Sequence, residues 1–345
     1  MGNAVPLITT AWSSKDPAHR FTVYNPKNGE PYMEVQGSGA AEVDACVRAA
    51  DRAYREVWSR LSPHERGRYL KKASAALQEH FDEIARIETE EVGKPLQISA
   101  NDTRRCVEAF DFFGGLIGNL PSDFYELGPI NAAVFHEPYG VVAGVIPFNW
   151  PPLHTGAKIA PAIAASNAIV VKPGEQAPLS IMKIVEVVQS VLPEGVVEIV
   201  TGPGIEAGKA LTSHPLVRKI SFTGSDNSGR AILKQCADNL TPSVMELGGK
   251  NALIAMPGCD LDRAVAVAFE GAFFNNGEAC TATSRVIVHR SLHDSFVEKF
   301  AQMMDRLKVG DGLDPSVRLG PMVTKEHQQK VLSYIETGKK EGATV

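Results

Sequence analysis

Apolar residues recur at helical spacing through most of the region between Ala40 and about Gly118. Within it, Ser62 is a typical N-cap, Pro63 suits the first helical position, and Glu65 completes a capping box. Gly93 is a typical helix stop, so the pattern predicts a helix from Ser62 to Gly93. The residues before Ala40 are irregular and rich in strand signals.

From residue 140 the pattern changes to short apolar strands that alternate with helices. Such alternation is typical of βαβ crossovers and predicts an α/β fold with an open parallel sheet. The predicted strands of this sheet are 141–148, 168–173, 196–202, 219–224 and 243–248. A second block follows Gly248 and contains predicted strands 251–256 and 285–290, each followed by a helix.

Composition and charge make several classes of partner less favourable. The chain has 345 residues, of which 44% are hydrophobic and 22% charged, as in an ordinary globular protein. Its net charge of -5 argues against nucleic acid or an anionic membrane as partner, because no excess of cations neutralises phosphates. The longest apolar stretch, 141–148, is too short to span a bilayer, and the N-terminus lacks the blocks of a secretory signal.

The cysteines indicate a reducing compartment. They are odd in number and scattered, and none has the CxxC or Cys/His spacing of a zinc site. Their positions are Cys46, Cys106, Cys236, Cys259 and Cys280. A cytoplasmic protein without a metal site is the simplest interpretation.

Ligands of an open parallel sheet bind at the carboxyl ends of its strands, so the residues that follow each strand are candidates. These candidates are Asn149, Lys172, Glu175, Gly204, Gly224, Ser225 and Glu246. Glycines, a lysine, a hydroxyl at a helix start and carboxylates together fit phosphate and ribose binding. A carboxylate near the lysine can bind both ribose hydroxyls and would repel a 2′-phosphate, which favours NAD over NADP.

The glycine motifs are weak when each is taken alone. Gly224 and Gly229 have the spacing of a P-loop, but Arg230 and Ala231 follow where that motif needs Lys and then Ser or Thr. A nucleotide triphosphatase would therefore lack its phosphate lysine and its magnesium ligand. Glycines after strands also serve as ordinary turn residues.

Each candidate also has a purely structural interpretation. Ser225 suits a helix cap, Asn149 a turn before prolines, and Glu246 an exposed charge at a strand end. Lys172 and Glu175 suit a solvated ion pair. Cys280, in the stretch FFNNGEACTATSR, taken alone suits a small buried thiol.

Four motifs that follow one another along the chain favour the functional interpretation of these residues over the structural one. They are PFNWPPLHTGAKIAPAIAASNAIVVKPGEQAP, FTGS, MELGGKN and FFNNGEAC. Together they resemble the aldehyde dehydrogenase superfamily, in its NAD-dependent, hydrolytic type, over nearly the whole chain. The resemblance implies a Rossmann-like NAD-binding domain in residues 1–120 and 140–248. It also implies a small β oligomerisation arm in 121–139 and the first part of an α/β catalytic domain in 249–345.

The resemblance assigns the chemistry to Cys280, Glu246 and Asn149. Cys280 would attack an aldehyde carbonyl, and the Asn149 amide with the Cys280 backbone N–H would form the oxyanion hole. Glu246 would activate the water that hydrolyses the thioester. Relatives that pass the acyl group to coenzyme A or phosphate need no such base, so the glutamate favours release of the free acid.

The resemblance implies a ribose site at Lys172 and Glu175, and a pyrophosphate site at Ser225. The other implied cofactor-binding positions are Phe148, Gly204, Gly224 and Leu247. Glu278 and Ala279 replace more usual residues beside the cysteine and would shape the aldehyde site. The sequence does not identify which aldehyde binds there.

The family's catalytic domain continues well beyond the equivalent of Val345, so the resemblance implies a C-terminally truncated chain. Strands 252–256 and 285–290 would then lack neighbours, and an unpaired apolar edge promotes association. We expect little or no dehydrogenase activity from residues 1–345 and a tendency to aggregate. The full-length family implies a homo-oligomer, whereas an inactive NAD-binding fragment and an acyl-phosphate or CoA-linked reductase are the alternatives.

Overall fold

The computed structural model describes residues 5–344. Its strands are β1 (Leu7–Ile8), β2 (Arg20–Tyr24), β3 (Pro31–Gln36), β4 (Phe124–Leu127), β5 (Ile130–Ala133), β6 (Val141–Ile146), β7 (Ala168–Pro173), β8 (Val197–Ile199), β9 (Val217–Thr223), β10 (Ser243–Glu246), β11 (Asn251–Ala255) and β12 (Thr283–Val288). Its α-helices are α1 (Ala40–Glu56), α2 (Pro63–Glu79), α3 (Phe81–Val92), α4 (Leu96–Leu116), α5 (Pro151–Ala164), α6 (Leu179–Gln189), α7 (Lys209–Thr212), α8 (Asp226–Asn239), α9 (Leu261–Phe273), α10 (His293–Met304) and α11 (Lys325–Lys340).

The predicted helical region contains the four helices α1 to α4. The capping box at the start of α2 is confirmed: Ser62 Oγ accepts from Glu65 N–H at 3.3 Å, and the Glu65 carboxylate accepts from Ser62 N–H at 2.8 Å. The single helix predicted from Ser62 to Gly93 is wrong, because His80 leaves helical geometry and separates α2 from α3. Neither glycine nor proline occurs at that break, so the sequence carries no signal for it.

A five-stranded parallel sheet forms the centre of the molecule, as predicted, in the order β10-β9-β6-β7-β8. The central strands β6 and β7 are buried on both faces almost throughout, as expected for a parallel sheet covered on two sides. Ile169 and Val171 of β7 pack with α2, α4, α5 and α6, while Ala168 and Val170 pack with α1 and α7 on the other face.

Residues 121–139 carry the short strands predicted there, paired as the antiparallel hairpin β4–β5. The hairpin is largely solvent-exposed. Phe124, Leu127 and Ile130 each leave more than half of their surface accessible. This segment therefore presents an apolar surface that the rest of the described chain does not cover.

Strands β11 and β12 form a separate two-stranded parallel sheet. Leu253 and Val286 lie opposite each other and pack with the apolar residues of α9 and α10. Ile254 and Ile287 are the next pair and point to the opposite, exposed face. Within residues 5–344 no third strand joins this sheet, as the sequence led us to expect.

The segment between α10 and α11 packs on the backbone at Gly93 and Lys94. Leu96 N–H donates to Gly312 O at 2.9 Å. A Cβ atom at Gly312 would collide with the Lys94 carbonyl oxygen, and one at Gly320 would collide with that of Gly93. These glycines are therefore needed for close backbone approach rather than for a turn. Among the helices of residues 5–344, none combines the length and apolar character needed to cross a membrane.

Candidate active site

The sequence candidates lie in one row along the carboxyl edge of the central sheet. Glu246 ends β10, and Gly224 and Ser225 follow β9. Phe148 and Asn149 follow β6, Lys172 and Glu175 lie at and just after the end of β7, and Gly204 lies beyond β8. Because these strands are parallel neighbours in that order, their carboxyl ends share one edge.

Cys280 is partly exposed and follows an unusual turn. Asn275 and Asn276 both adopt left-handed backbone conformations, with φ of 52° and 58°. The Cys280 carbonyl oxygen accepts from Asn251 Nδ2 at 3.2 Å, and a Cβ on Gly249 would lie 2.5 Å from it. The glycines of MELGGKN thus allow the segment after Glu246 to contact the cysteine.

The side chain of Asn149 is bonded to the cysteine segment. Its Nδ2 donates to the backbone oxygen of Glu278 at 2.8 Å, while its buried Oδ1 has no partner among residues 5–344. Its backbone oxygen accepts from Asn275 Nδ2 at 2.8 Å. Asn149 and the residues just before Cys280 are therefore held together by reciprocal hydrogen bonds.

Glu246 is exposed at the edge strand, and its backbone oxygen accepts from Gly224 N–H at 3.0 Å. Sequence reasoning missed a cation close to it. Lys158 of α5 is buried and donates to Ser221 Oγ at 2.9 Å. Burial lowers the pKa of Lys158 to about 8, although the Glu246 charge opposes that shift. The sequence signal that could have identified Lys158 is its position as a charged residue within the run of small and apolar residues TGAKIAPAIA.

Lys172 is not half of a solvated ion pair. Its side chain is 3% exposed and meets Glu175 Oε2 at 3.3 Å, whereas the Glu175 side chain is 42% exposed. Burial lowers the pKa of Lys172, and Glu175 opposes this. An ammonium has three N–H donors, so this buried amine retains capacity for a polar ligand at the sheet edge.

Ser225 serves as the N-cap of α8, since its Oγ accepts from Ser228 N–H at 3.3 Å. The cap interpretation is therefore confirmed, and it leaves the first-turn N–H groups at the same edge. Gly204 borders open space, with no atom within 4 Å of an added Cβ. A Cβ at Gly224 would lie 2.6 Å from the Phe222 ring.

Two further residues implied for the cofactor site have close protein neighbours. Leu247 lies against Gly229 of α8, where an added Cβ would approach it to 2.7 Å. The Phe148 ring meets the His327 ring edge-on, with centroids 5.2 Å apart. Phe148 is thereby fixed between β6 and the start of α11.

Glu278 is a buried carboxyl beside the nucleophile segment. Its side chain is 2% exposed, and Oε1 accepts from Val323 N–H at 3.3 Å with His327 Nε2 at 3.6 Å. Burial raises the pKa of Glu278 to about 7, against the effects of the Val323 hydrogen bond and the Lys94 charge. Its titration range therefore includes neutral pH.

Sequence reasoning also missed Lys94, in the stretch EEVGKP. The side chain is 1% exposed and lies between two buried carboxylates. Its partners come from positions far apart in the sequence, including Asn149 and Asn275. A lysine directly after a helix-stopping glycine gives no hint of such contacts.

Comparison with known proteins agrees with this arrangement. The model of the "Aldehyde dehydrogenase family" matches residues 12–345. The chain is 47% identical over 343 residues to "Aldehyde dehydrogenase citD" of Monascus ruber, covering 99% of this chain and 68% of that protein. It is 38% identical over 330 residues to "Putative aldehyde dehydrogenase DhaS" of Bacillus subtilis, covering 94% and 66%.

Solved structures give the same result. The NAD+ complex of aldehyde dehydrogenase from Bacillus cereus superposes with a TM-score of 0.91 at 35% identity, covering 94% of this chain and 67% of that one. Betaine aldehyde dehydrogenase from Staphylococcus aureus in complex with NAD+ gives a TM-score of 0.91 at 33% identity. The chain thus spans about two thirds of the length of these relatives. With its family motifs at the carboxyl edge of the central sheet, this chain belongs to the aldehyde dehydrogenase family.

Proposed function

We propose that this chain carries the nucleophile and cofactor site of an enzyme that oxidises an aldehyde to its carboxylic acid with NAD. The observation that carries the proposal is the hydrogen bond from Asn149 Nδ2 to the Glu278 carbonyl. It joins the candidate oxyanion donor to the segment that bears Cys280, at the edge where parallel sheets bind ligands.

In the first step the Cys280 thiolate adds to the aldehyde carbon, so a C–S bond forms and the carbonyl π electrons move to oxygen. The resulting oxyanion is stabilised by the Cys280 backbone N–H and by Asn149. The Asn149 amide has two N–H groups, and only one is needed for Glu278. Loss of such a donor costs roughly 3–4 kcal/mol in comparable sites.

The residues at the neighbouring strand ends fit NAD. The buried Lys172 amine would donate to a ribose hydroxyl, and Glu175 would accept from the ribose and disfavour a 2′-phosphate. The N-terminus of α8 at Ser225 would face the pyrophosphate. NAD, when bound there, supplies the two-electron oxidant that accepts hydride from the cysteine adduct.

Glu246 completes the cycle as a general base. It takes a proton from water, the hydroxide adds to the thioester carbonyl, and the C–S bond breaks to release the acid and the Cys280 thiolate. The exposure of Glu246 gives water access to it, and the segment that follows contacts Cys280. A transfer to coenzyme A or phosphate would make this base unnecessary, so hydrolysis is the favoured outcome.

The test is NADH formation at 340 nm by the purified chain with NAD and acetaldehyde, hexanal or benzaldehyde. We expect whatever NADH formation residues 1–345 retain to be abolished in Cys280→Ala and limited to at most one NADH per site in Glu246→Gln, because the thioester persists. Cys259→Ala, at an exposed cysteine, is the matched control and should behave as the wild type.

Turnover that survives in Cys280→Ala would disprove the proposed mechanism. A wild-type chain that makes no NADH but binds NAD, followed by intrinsic fluorescence, would instead support a binding fragment without turnover. Stimulation of Glu246→Gln by coenzyme A or phosphate would favour acyl transfer over hydrolysis.

A further inference from the structure

We infer that Lys94 is a positioning residue that fixes Asn149 and the Cys280 segment relative to each other. This inference rests on the proposed function, because it assigns a role within the same site. The Lys94 amine lies 2.5 Å from Glu88 Oε1 and 2.6 Å from Asp102 Oδ2. It also donates to the Asn149 backbone oxygen at 2.9 Å and to Asn275 Oδ1 at 3.0 Å.

The arrangement of charges makes this buried group stable. Burial raises the pKa of Glu88 well above its usual range and also raises the pKa of Asp102, while the Lys94 charge opposes both shifts. Burial alone would lower the pKa of Lys94, but the two acidic neighbours raise it. The single cation thus lies against two acidic side chains, and its loss would leave them buried without a counterion.

The amine connects two segments that otherwise share few polar contacts. Asn275 donates to the Asn149 carbonyl, and Lys94 binds both the acceptor of that bond and the Asn275 side-chain oxygen. Asn149 in turn donates to the Glu278 carbonyl. The Lys94 ammonium thus binds both partners of the Asn275–Asn149 hydrogen bond. That bond connects the oxyanion donor, Asn149, to the nucleophile segment.

The conformation and packing of the backbone at Gly93 also fix the position of Lys94, in addition to its side-chain contacts. Gly93 adopts a left-handed conformation with φ of 93°. The backbone at Gly312 and Gly320 packs so closely on the carbonyl groups of Lys94 and Gly93 that no Cβ fits between them. The amine is therefore preorganised, as a group that positions catalytic residues must be.

The experiment compares Lys94→Met with Lys94→Met/Asp102→Asn in the full chain. Lys94→Met leaves Asp102 buried without a counterion and should lower Tm, whereas the double variant removes that charge and should recover Tm. We expect both variants to lower whatever kcat the wild-type chain retains by on the order of 100-fold, with KM for NAD within about threefold, because small misplacement of reacting groups has effects of this size.

Hydrogen–deuterium exchange supplies a measurement that does not depend on turnover. We expect faster exchange at 274–280 and 146–150 in both variants, with β7 and β8 unchanged. Leu77→Ala, a buried residue of α2 outside the network, is the control for lost stability and should leave exchange at the two segments unaltered.

A double variant that recovers Tm together with wild-type kcat and exchange would overturn the inference, because Lys94 would then be merely structural. If the wild-type chain neither forms NADH nor binds NAD, the proposed function fails, but the exchange pattern still decides the role of Lys94. Unchanged hydrogen–deuterium exchange at 274–280 in the double variant would refute the positioning role of Lys94.

Discussion

At the scale of single residues, buried titratable groups surround the nucleophile segment. Burial raises the pKa of Glu278 to about 7, and burial lowers those of Lys158 to about 8 and of His154 to about 4. Two of these groups therefore titrate near neutral pH, where small changes in environment alter their charge.

Glu278 makes stability depend on pH in a defined direction. Its pKa rises from the ordinary 4.5 to about 7, so the folded chain holds this proton more tightly than the unfolded chain. The contribution is fully present below about pH 4.5 and is lost as pH rises through about 7, and it amounts to roughly 3 kcal/mol. Glu278→Gln should remove this slope and raise stability relative to wild type at pH 8.

Urea unfolding of the two proteins between pH 5 and pH 8 measures the difference. Glu126→Gln, on the exposed hairpin β4–β5, is the matched control and should change the pH dependence little. Parallel curves for wild type and Glu278→Gln would show that Glu278 is ionised in the folded protein throughout this range.

Single residues also show how far sequence reasoning reaches. Asn149, Lys172 and Glu246 were located correctly at strand ends, because strand periodicity and parallel topology place such residues at one edge. The Lys94 contacts could not be predicted, since Asn275 is separated from Lys94 by 181 positions and only the tertiary fold joins them.

At the scale of elements, helix α3 ends where the site begins. Gly93 has φ of 93°, and an added Cβ would meet Pro321 O at 2.9 Å and Pro26 Cβ at 3.0 Å. Gly29 has a comparable φ of 73° with open space around it. Alanine substitutions at Gly93 and at Gly29 therefore separate two effects of an added Cβ: the strain of a positive φ, which both positions share, and the steric clash, which only Gly93 has.

We therefore expect Gly29→Ala to lower the free energy of unfolding by about 1 kcal/mol through backbone strain alone. Gly93→Ala should lower it by about 1–3 kcal/mol more, because crowded backbone and proline atoms must move. Chemical denaturation measures both values. Equal losses in the two variants would mean that the segment around Pro321 moves away from the new Cβ without lowering the free energy of unfolding.

Elements also differ in how well the sequence predicted them. The strands and the start of α2 carried clear periodicity and cap signals, and they appear where expected. The break between α2 and α3 did not, because His80 is compatible with a helix and neither glycine nor proline marks the turn.

At the scale of the whole molecule, apolar surface is exposed on the hairpin β4–β5 and on the outer face of β11–β12, among other places. Ile254 is 62% exposed and its partner Ile287 is 53% exposed. Patches of this kind favour association. The tendency of the chain to aggregate stays a prediction, and these exposed patches are its expected cause.

Replacing both isoleucines by threonine keeps a β-branched side chain and should increase the monomer fraction in sedimentation velocity without lowering Tm. Leu253→Thr, on the inward face of the same strand, is the contrasting variant and should lower Tm. An unchanged distribution of species in Ile254→Thr/Ile287→Thr would exclude this face as the cause of association.

The packing around Lys94 also limits how this chain can recombine with its relatives. The sequence divides the molecule near residue 248, yet Gly93 and Lys94 precede that point while Asn275, Gly312 and Gly320 follow it. A chimera that joins two relatives at that point must inherit both halves of this contact from compatible parents. The boundary that looks natural in the sequence is therefore a costly crossover site.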